Sequence, residues 1–215
     1  MSEGTDFLYP FIEETEHDAG RLLEDLAVSA KAKAAESARL RAATLSATDL
    51  ETVAASMAAR FAGGGRMLVF GNGGSSTDAA GITAMFRRPP WGRPLDTRSL
   101  ASDRAVLTAL ANDIGFDVVF SRQLMAFGRR GDMALGVSTS GNSVNLLTAF
   151  AEAHKRGMLT VGLAGYDGGQ MATSDHVDHC IVVRSESVHR IQETQAAVAF
   201  QLWRRIQGLL GETGK

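Results

Sequence analysis

Only one cysteine, Cys180, occurs in the 215 residues, which excludes an intrachain disulfide and any cysteine-based zinc cluster. No uninterrupted apolar run reaches the length of a membrane span. Charge of either sign is also scarce in excess. The 22 Lys and Arg against 24 Asp and Glu leave a formal net charge of −2, which offers no electrostatic case for direct nucleic-acid or membrane binding. The first residues carry Glu3, Asp6, Glu13 and Glu14 where a secretory leader needs a basic and then an apolar stretch, so a cytoplasmic location is expected. Three of the four prolines, Pro89, Pro90 and Pro94, fall in one short stretch that cannot be regular structure. No internal repeat or disordered linker is visible. What remains is 45% hydrophobic and 21% charged, an ordinary globular composition on a chain long enough for a full core.

Residues 7–43 read as helix with a break near Gly20. Leu22, Leu23, Leu26 and Val28 form an apolar stripe there, and the alanine-rich stretch 29–41 favours helix without owning a core. Such a helix packs against something, and a second copy of the chain is a reasonable candidate. Thr48-Asp49-Leu50-Glu51 has the form of a capping box, with Leu50, Val53, Met57 and Phe61 as the buried face of the helix it starts. The glycines at 63–65 stop that helix. Strands are then expected at 67–70, 97–100, 133–137, 159–163 and 179–183. Helices are expected at 76–86, 103–111, 118–127, from 144 onward, and at 188–210. This alternation predicts an α/β domain with a parallel sheet covered on both faces, spanning 48–215 after a helical segment at 1–47.

The stretch Ser138-Thr139-Ser140-Gly141-Asn142-Ser143 joins an expected strand to an expected helix. Unpaired backbone N–H groups at a helix start favour an anion, and small hydroxyl side chains add donors without filling the space a phosphate needs. Ser143 as a plain helix cap is the alternative for that one residue. A second strand-to-helix turn, Gly71-Asn72-Gly73-Gly74-Ser75-Ser76, is also competent to hold an anion. A dinucleotide fingerprint fits it poorly. Its third glycine would fall at Ser76, the acid at the next strand end has only Asp96 as candidate, and no GxxxxGK[ST] run exists. Two such loops favour one phosphorylated ligand held between adjacent strand ends.

Together GNGGSSTDAA at 71–80 and STSGNSVNLL at 138–147 resemble the sugar isomerase (SIS) domain, and within it the phosphoheptose isomerase branch. Ala109–Asp113, the turn Leu163–Gly169 and Arg190-Ile191-Gln192-Glu193 resemble further motifs of that branch, in matching order from about residue 48 to 210. The resemblance implies a three-layer, flavodoxin-like α/β sandwich with a five-stranded parallel sheet. It also implies assembly through the N-terminal helical segment as a homotetramer, with a dimer as the alternative. By motif position, Asn72, Gly73 and Ser75 would contact the ligand from the first loop, and Ser138, Thr139, Ser140 and Ser143 would hold its phosphate. Asp113 would accept from sugar hydroxyls, and Gln192 would face the reacting end or, in zinc-bearing members, the metal.

Aldose–ketose isomerisation needs a base and an acid to move a proton between adjacent carbons. In the isomerases of this family these groups resemble a glutamate on the helix after the first loop and a histidine on the last helix. Here those positions are Met85 and Phe200, and the additional histidine associated with zinc is Gly81. No acidic residue lies between Ala79 and Leu95, and the last helix has no histidine after His189. Zinc is therefore not expected as a cofactor, nor is any other. The leading expectation is a sugar-phosphate binder with lost or weak isomerase activity. One alternative is an active sedoheptulose 7-phosphate isomerase with relocated groups, for which His189, Glu193 and Asp113 are the candidates. The other is a tetrameric protein-binding adaptor, like the relative that associates with a replication initiator. A partner would then meet the loop of Arg87, Arg88, Trp91 and Arg93, otherwise read as solvated. The cluster Asp175, His176, Asp178 and His179 reads as solvated charge rather than a metal site.

Overall fold

The computed structural model describes residues 19–212. The expected helix over 7–18 lies outside the described residues. Helix α1 (Ala19–Ala47) ends four residues beyond the expected boundary at 43, and the expected break near Gly20 falls at the edge of the described residues. The chain divides into two compact units between Ala38 and Arg39. Within α1, Leu23, Leu26 and Val28 are exposed, with Leu23 at 66%.

Helix α2 (Leu50–Ala62) begins one residue later than the capping-box reading requires. Asp49, not Thr48, is the N-cap, since its carboxylate accepts from the Thr52 N–H at 3.0 Å and from the Thr52 hydroxyl at 2.5 Å. A carboxylate beside the positive helix end outcompetes a neighbouring hydroxyl for that place. Its pKa is lowered below the ordinary aspartate value by these bonds. The remaining elements follow the expected alternation. They are β1 (Met67–Gly71), α3 (Gly74–Arg87), β2 (Thr97–Ser99), α4 (Arg104–Asp113), a 3-10 turn (Phe116–Val118) and α5 (Val119–Phe127). Then come β3 (Met133–Val137), α6 (Val144–Lys155), β4 (Leu159–Gly165), α7 (Gly169–Thr173), β5 (His179–Val183) and α8 (Val188–Leu209).

Five parallel strands form one sheet in the order β2-β1-β3-β4-β5. Strands β1, β3 and β4 are buried along their whole length, which is why their sequences are continuous apolar runs rather than alternating ones. Alternation decides instead which face each side chain serves. Met67 and Val69 pack with α2, α3 and α8, whereas Leu68 and Phe70 pack with α5 and α6 on the other face. Asp132, at the entry to β3, is 4% exposed and accepts from the Arg66 N–H at 2.9 Å, the Arg66 guanidinium at 2.7 Å and the Arg129 N–H at 3.1 Å.

The proline-rich loop is largely solvated, with Arg87, Arg88 and Arg93 exposed, but it is tied to α8 at two points. Trp91 packs on Trp203 of α8 with ring centroids 4.8 Å apart. Buried Gln207 donates to the Arg93 carbonyl at 2.9 Å and accepts from the Arg93 N–H at 3.1 Å. Replacing Gln207 by alanine leaves both Arg93 groups unpaired. The expected cost is about 1–3 kcal/mol, read as a fall in Tm of about 2–4 °C for each kcal/mol. An unchanged melting curve would mean that water already serves this loop.

Cys180 sits on the edge strand β5, where burial pushes its thiol up to about 11. Only about one thiol in a thousand is then ionised at pH 8, and the thiolate is the nucleophile. Alkylation by iodoacetamide at that pH is expected to be slow in the folded protein and fast after unfolding. Equal rates in both states would show the thiol to be open to solvent.

Candidate functional site

Strands β1 and β3 are neighbours, and the helices that follow them pack on opposite faces of the sheet. That is a topological switch point, where a crevice opens outside the carboxyl ends of the strands. Both glycine- and hydroxyl-rich loops sit at it.

In the second loop Ser138 is only 4% exposed, and its Oγ accepts from the Gly141 N–H at 3.1 Å. The same Oγ lies 3.5 Å from the hydroxyls of Ser140 and of Ser143. Ser143 occupies the N-cap position of α6 but its side chain makes no capping bond. Its hydroxyl therefore faces the cluster, which removes the reading of Ser143 as a plain cap. Thr139, Ser140 and Ser143 are half-buried.

Gly141 is required where it stands. Its φ is +66°, and a Cβ there would lie 2.0 Å from the Gly168 carbonyl oxygen. The loop leans at this point on the Gly165–Gly169 turn and α7, through Met171 N–H to the Gly141 carbonyl at 3.0 Å and Gln170 N–H to Asn142 Oδ1 at 2.9 Å. At five residues, α7 is too short for hydrophobic periodicity to mark it in the sequence.

The first loop carries Gly73 as a cap without a side chain, with Ser75 buried behind it. Asn72 and Asn145 exchange two hydrogen bonds of 2.9 Å, which tie this loop to the first turn of α6. Gln192 enters from α8 and donates to Asp78 Oδ2 at 2.8 Å. It passes so near Gly74 that a Cβ there would be 2.7 Å from the Gln192 amide nitrogen. Buried Gln195 donates to the Ser138 carbonyl at 3.1 Å.

Between α3, β3 and α8 lies a cavity of about 240 Å³ whose wall includes Asp78, Gly81, Ile82, Met85, Val137 and Ala199. It is linked to the phosphate-competent loop through Val137, which precedes Ser138, and through Gln195, which lines the cavity and donates to the Ser138 carbonyl. Three larger grooves, of about 500, 490 and 340 Å³, lie at β5, at β2 and between α5 and α6, and include neither loop.

The structure thus gathers Asn72, Gly73, Ser75, the 138–143 hydroxyls and Gln192. It does not bring the other candidates into the cavity wall. Asp113 is at the exposed end of α4, accepting from the Asn112 side chain at 2.8 Å. His189 is exposed at the start of α8, and Glu193 pairs with Arg190 at 3.0 Å. Phe200 stacks on Trp203 at 5.4 Å and is 41% exposed. Three residues are added that sequence reasoning did not single out: Asp78, Asn145 and Gln195. A polar side chain one or two helical turns from a recognised loop is the signal that could have found them.

Asp175, His176, Asp178 and His179 do not converge. Asp178 accepts from the Thr160 N–H and hydroxyl at 2.8 and 2.9 Å, His179 meets Ser56 at 3.3 Å, and His176 lies against His154. Among the described residues no group of three or more His, Cys, Asp or Glu is placed to hold a metal.

Residues 32–165 match the family model described as SIS domain. The chain belongs to the SIS-domain family. A phosphoheptose isomerase of Roseiflexus is 46% identical over 143 residues, covering 65% of this chain and 71% of that protein. One from Chlorobium phaeovibrioides is 35% identical over 93% of this chain and 92% of its own length. The structure of phosphoheptose isomerase from Neisseria gonorrhoeae superposes with a TM-score of 0.77 at 35% identity, covering 85% of this chain and 99% of that one. This SIS protein is accordingly phosphoheptose isomerase-like in sequence and fold, and its five-stranded parallel sheet is the expected one. Among the described residues no helix is long and apolar enough to cross a membrane.

Proposed function

We propose that this SIS protein binds a phosphorylated sugar in the crevice between the 71–75 and 138–143 loops and has lost most or all of the family's isomerisation. The observation that carries the reading is the chemistry of the cavity next to the hydroxyl cluster. Met85 and Gly81, which the motif resemblance matches to the family's glutamate and zinc-associated histidine, stand in its wall, and neither can take up or deliver a proton. The donor set fits zinc no better. Of Gly81, Met85, Gln192 and Phe200, only the Gln192 amide has a side-chain oxygen to offer, so no resident metal is proposed. The phosphoheptose isomerases similar to this chain support a sugar phosphate as ligand class. A relative more distant in sequence, the NanR protein of Vibrio vulnificus, is known in complex with ManNAc-6P, which agrees with that class.

The test is turnover of sedoheptulose 7-phosphate, with and without added zinc, beside a thermal-shift titration with the same sugar. A stabilising shift without turnover is expected. Isomerisation at an ordinary enzymatic rate would end the non-catalytic reading.

A second reading rests on Asp78. It is a carboxylate in the cavity wall, held by Gln192, and is the one acidic residue among those described there. If the chain isomerises sugars, Asp78 is the better relocated base than His189, Glu193 or Asp113, and Asp78→Asn abolishes turnover while phosphate binding survives.

Assembly as a homotetramer, or failing that a dimer, is supported by the exposed apolar side chains Leu23, Leu26 and Val28 on α1. A cytoplasmic location is supported by the phosphorylated ligand. Of the loop that the adaptor reading would use, Trp91 is half-buried against Trp203, whereas Arg87, Arg88 and Arg93 are exposed.

A further inference from the structure

We infer that the sugar phosphate recognised here ends in a methyl group at the end remote from its phosphate, as in a 1-deoxyketose phosphate. The inference rests on the phosphosugar reading above and deepens it. With the phosphate at the 138–143 loop, the remaining carbons extend toward the cavity of about 240 Å³, because Val137 in its wall precedes Ser138 and Gln195 in its wall donates to the Ser138 carbonyl.

The buried wall of that cavity is Ile82, Val137 and Ala199, at 5%, 0% and 2% exposure, with half-buried Met85 beside them. The polar side chains of the wall lie outside this buried part. Thr77 is exposed, and the half-buried Asp78 carboxylate is engaged by Gln192. Gln195 presents no polar atom to the cavity. Its amide nitrogen donates to the Ser138 carbonyl, and its Oε1 is enclosed by protein without a partner.

A hydroxymethyl ketone pressed on this wall would bury a hydroxyl that finds no partner, whereas a methyl group there gains apolar contact. A site built to hydrogen-bond a hydroxyl rejects the analogue that lacks it. An apolar site such as this one reverses that preference.

The experiment is calorimetric titration of the full chain with D-fructose 6-phosphate and with 1-deoxy-D-fructose 6-phosphate, which differ by one hydroxyl. Inorganic phosphate serves as reference. The 1-deoxy compound is expected to bind about tenfold tighter or better, the order set by one unpaired buried hydroxyl. In Met85→Gln, which puts an amide into the half-exposed part of the wall, that preference is expected to shrink toward parity. Circular dichroism confirms that the variant is folded. Equal binding of both sugars, or tighter binding of fructose 6-phosphate, overturns the inference and leaves phosphosugar binding standing. Binding of neither sugar nor phosphate overturns both.

Discussion

Met85→Glu and Phe200→His, introduced together, are expected to raise isomerisation of sedoheptulose 7-phosphate at least about 100-fold, since a positioned acid or base contributes about 10²- to 10⁴-fold. The fold offers room for both. Met85 is half-buried on the cavity wall, so a glutamate there gains access to ligand without entering the packed core. Phe200 is 41% exposed and follows Ala199, whose side chain lines the same cavity, so a histidine at 200 replaces a partly solvated ring rather than a core residue. Gly81→His is the third step. A Cβ at Gly81 meets nothing within 4 Å, and the three new donors with Gln192 would complete a zinc-competent set. Zinc-dependent turnover of the triple variant is the readout, by coupled assay or by NMR of the product. A folded double variant that binds the sugar phosphate and stays inactive would show that something other than these two positions separates this chain from its catalytic relatives.

Gly141→Ala is expected to weaken phosphosugar binding by about 10- to 150-fold for each charge-assisted hydrogen bond lost. The β-carbon is doubly unwelcome. It must adopt a φ of +66°, and it would sit 2.0 Å from a backbone oxygen of the Gly168 turn that cannot swing away as a side chain could. Relief requires the 138–143 loop to move off its brace, which scatters the hydroxyls of Ser138, Ser140 and Ser143 now gathered within 3.5 Å of one another in two pairs. The sheet itself stays intact, because β3 ends at Val137. Titration with a sugar phosphate, beside far-ultraviolet circular dichroism, separates the two effects. Undiminished affinity in a folded Gly141→Ala would mean that the loop does not hold the anion.

Much of the fold is legible in the order of the residues. Apolar runs of about five residues alternating with helical stretches can be satisfied only by a parallel sheet covered on both sides, and that sheet is present in full. The two anion-competent loops are legible for the same reason, being the polar interruptions at strand ends. Helix boundaries are less so. The carboxylate of Asp49 takes the cap from Thr48, a choice between adjacent good caps that sequence pattern does not rank. The anchoring of Trp91 and Arg93 is not legible, because nothing local reveals that Trp203 and Gln207, more than a hundred residues away, will hold them.

The hydroxyl-rich loop, the glycine turn and the apolar residues Met85 and Phe200 are written in the sequence, because each is a matter of residue type and local spacing. Which groups surround a ligand is not, since those groups come from α3, α6 and α8 and meet only when the sheet stacks their helices at one switch point. Tertiary structure alone joined Asn72 to Asn145, set Asp78 against Gln192, turned Gln195 toward Ser138 and left Asp113 at the end of another helix. Hydrogen bonds between residues so far apart in the chain leave no periodic trace in it. They are decided by where the packed core brings the helix ends, and here that produced an anion-competent cradle beside an apolar cavity.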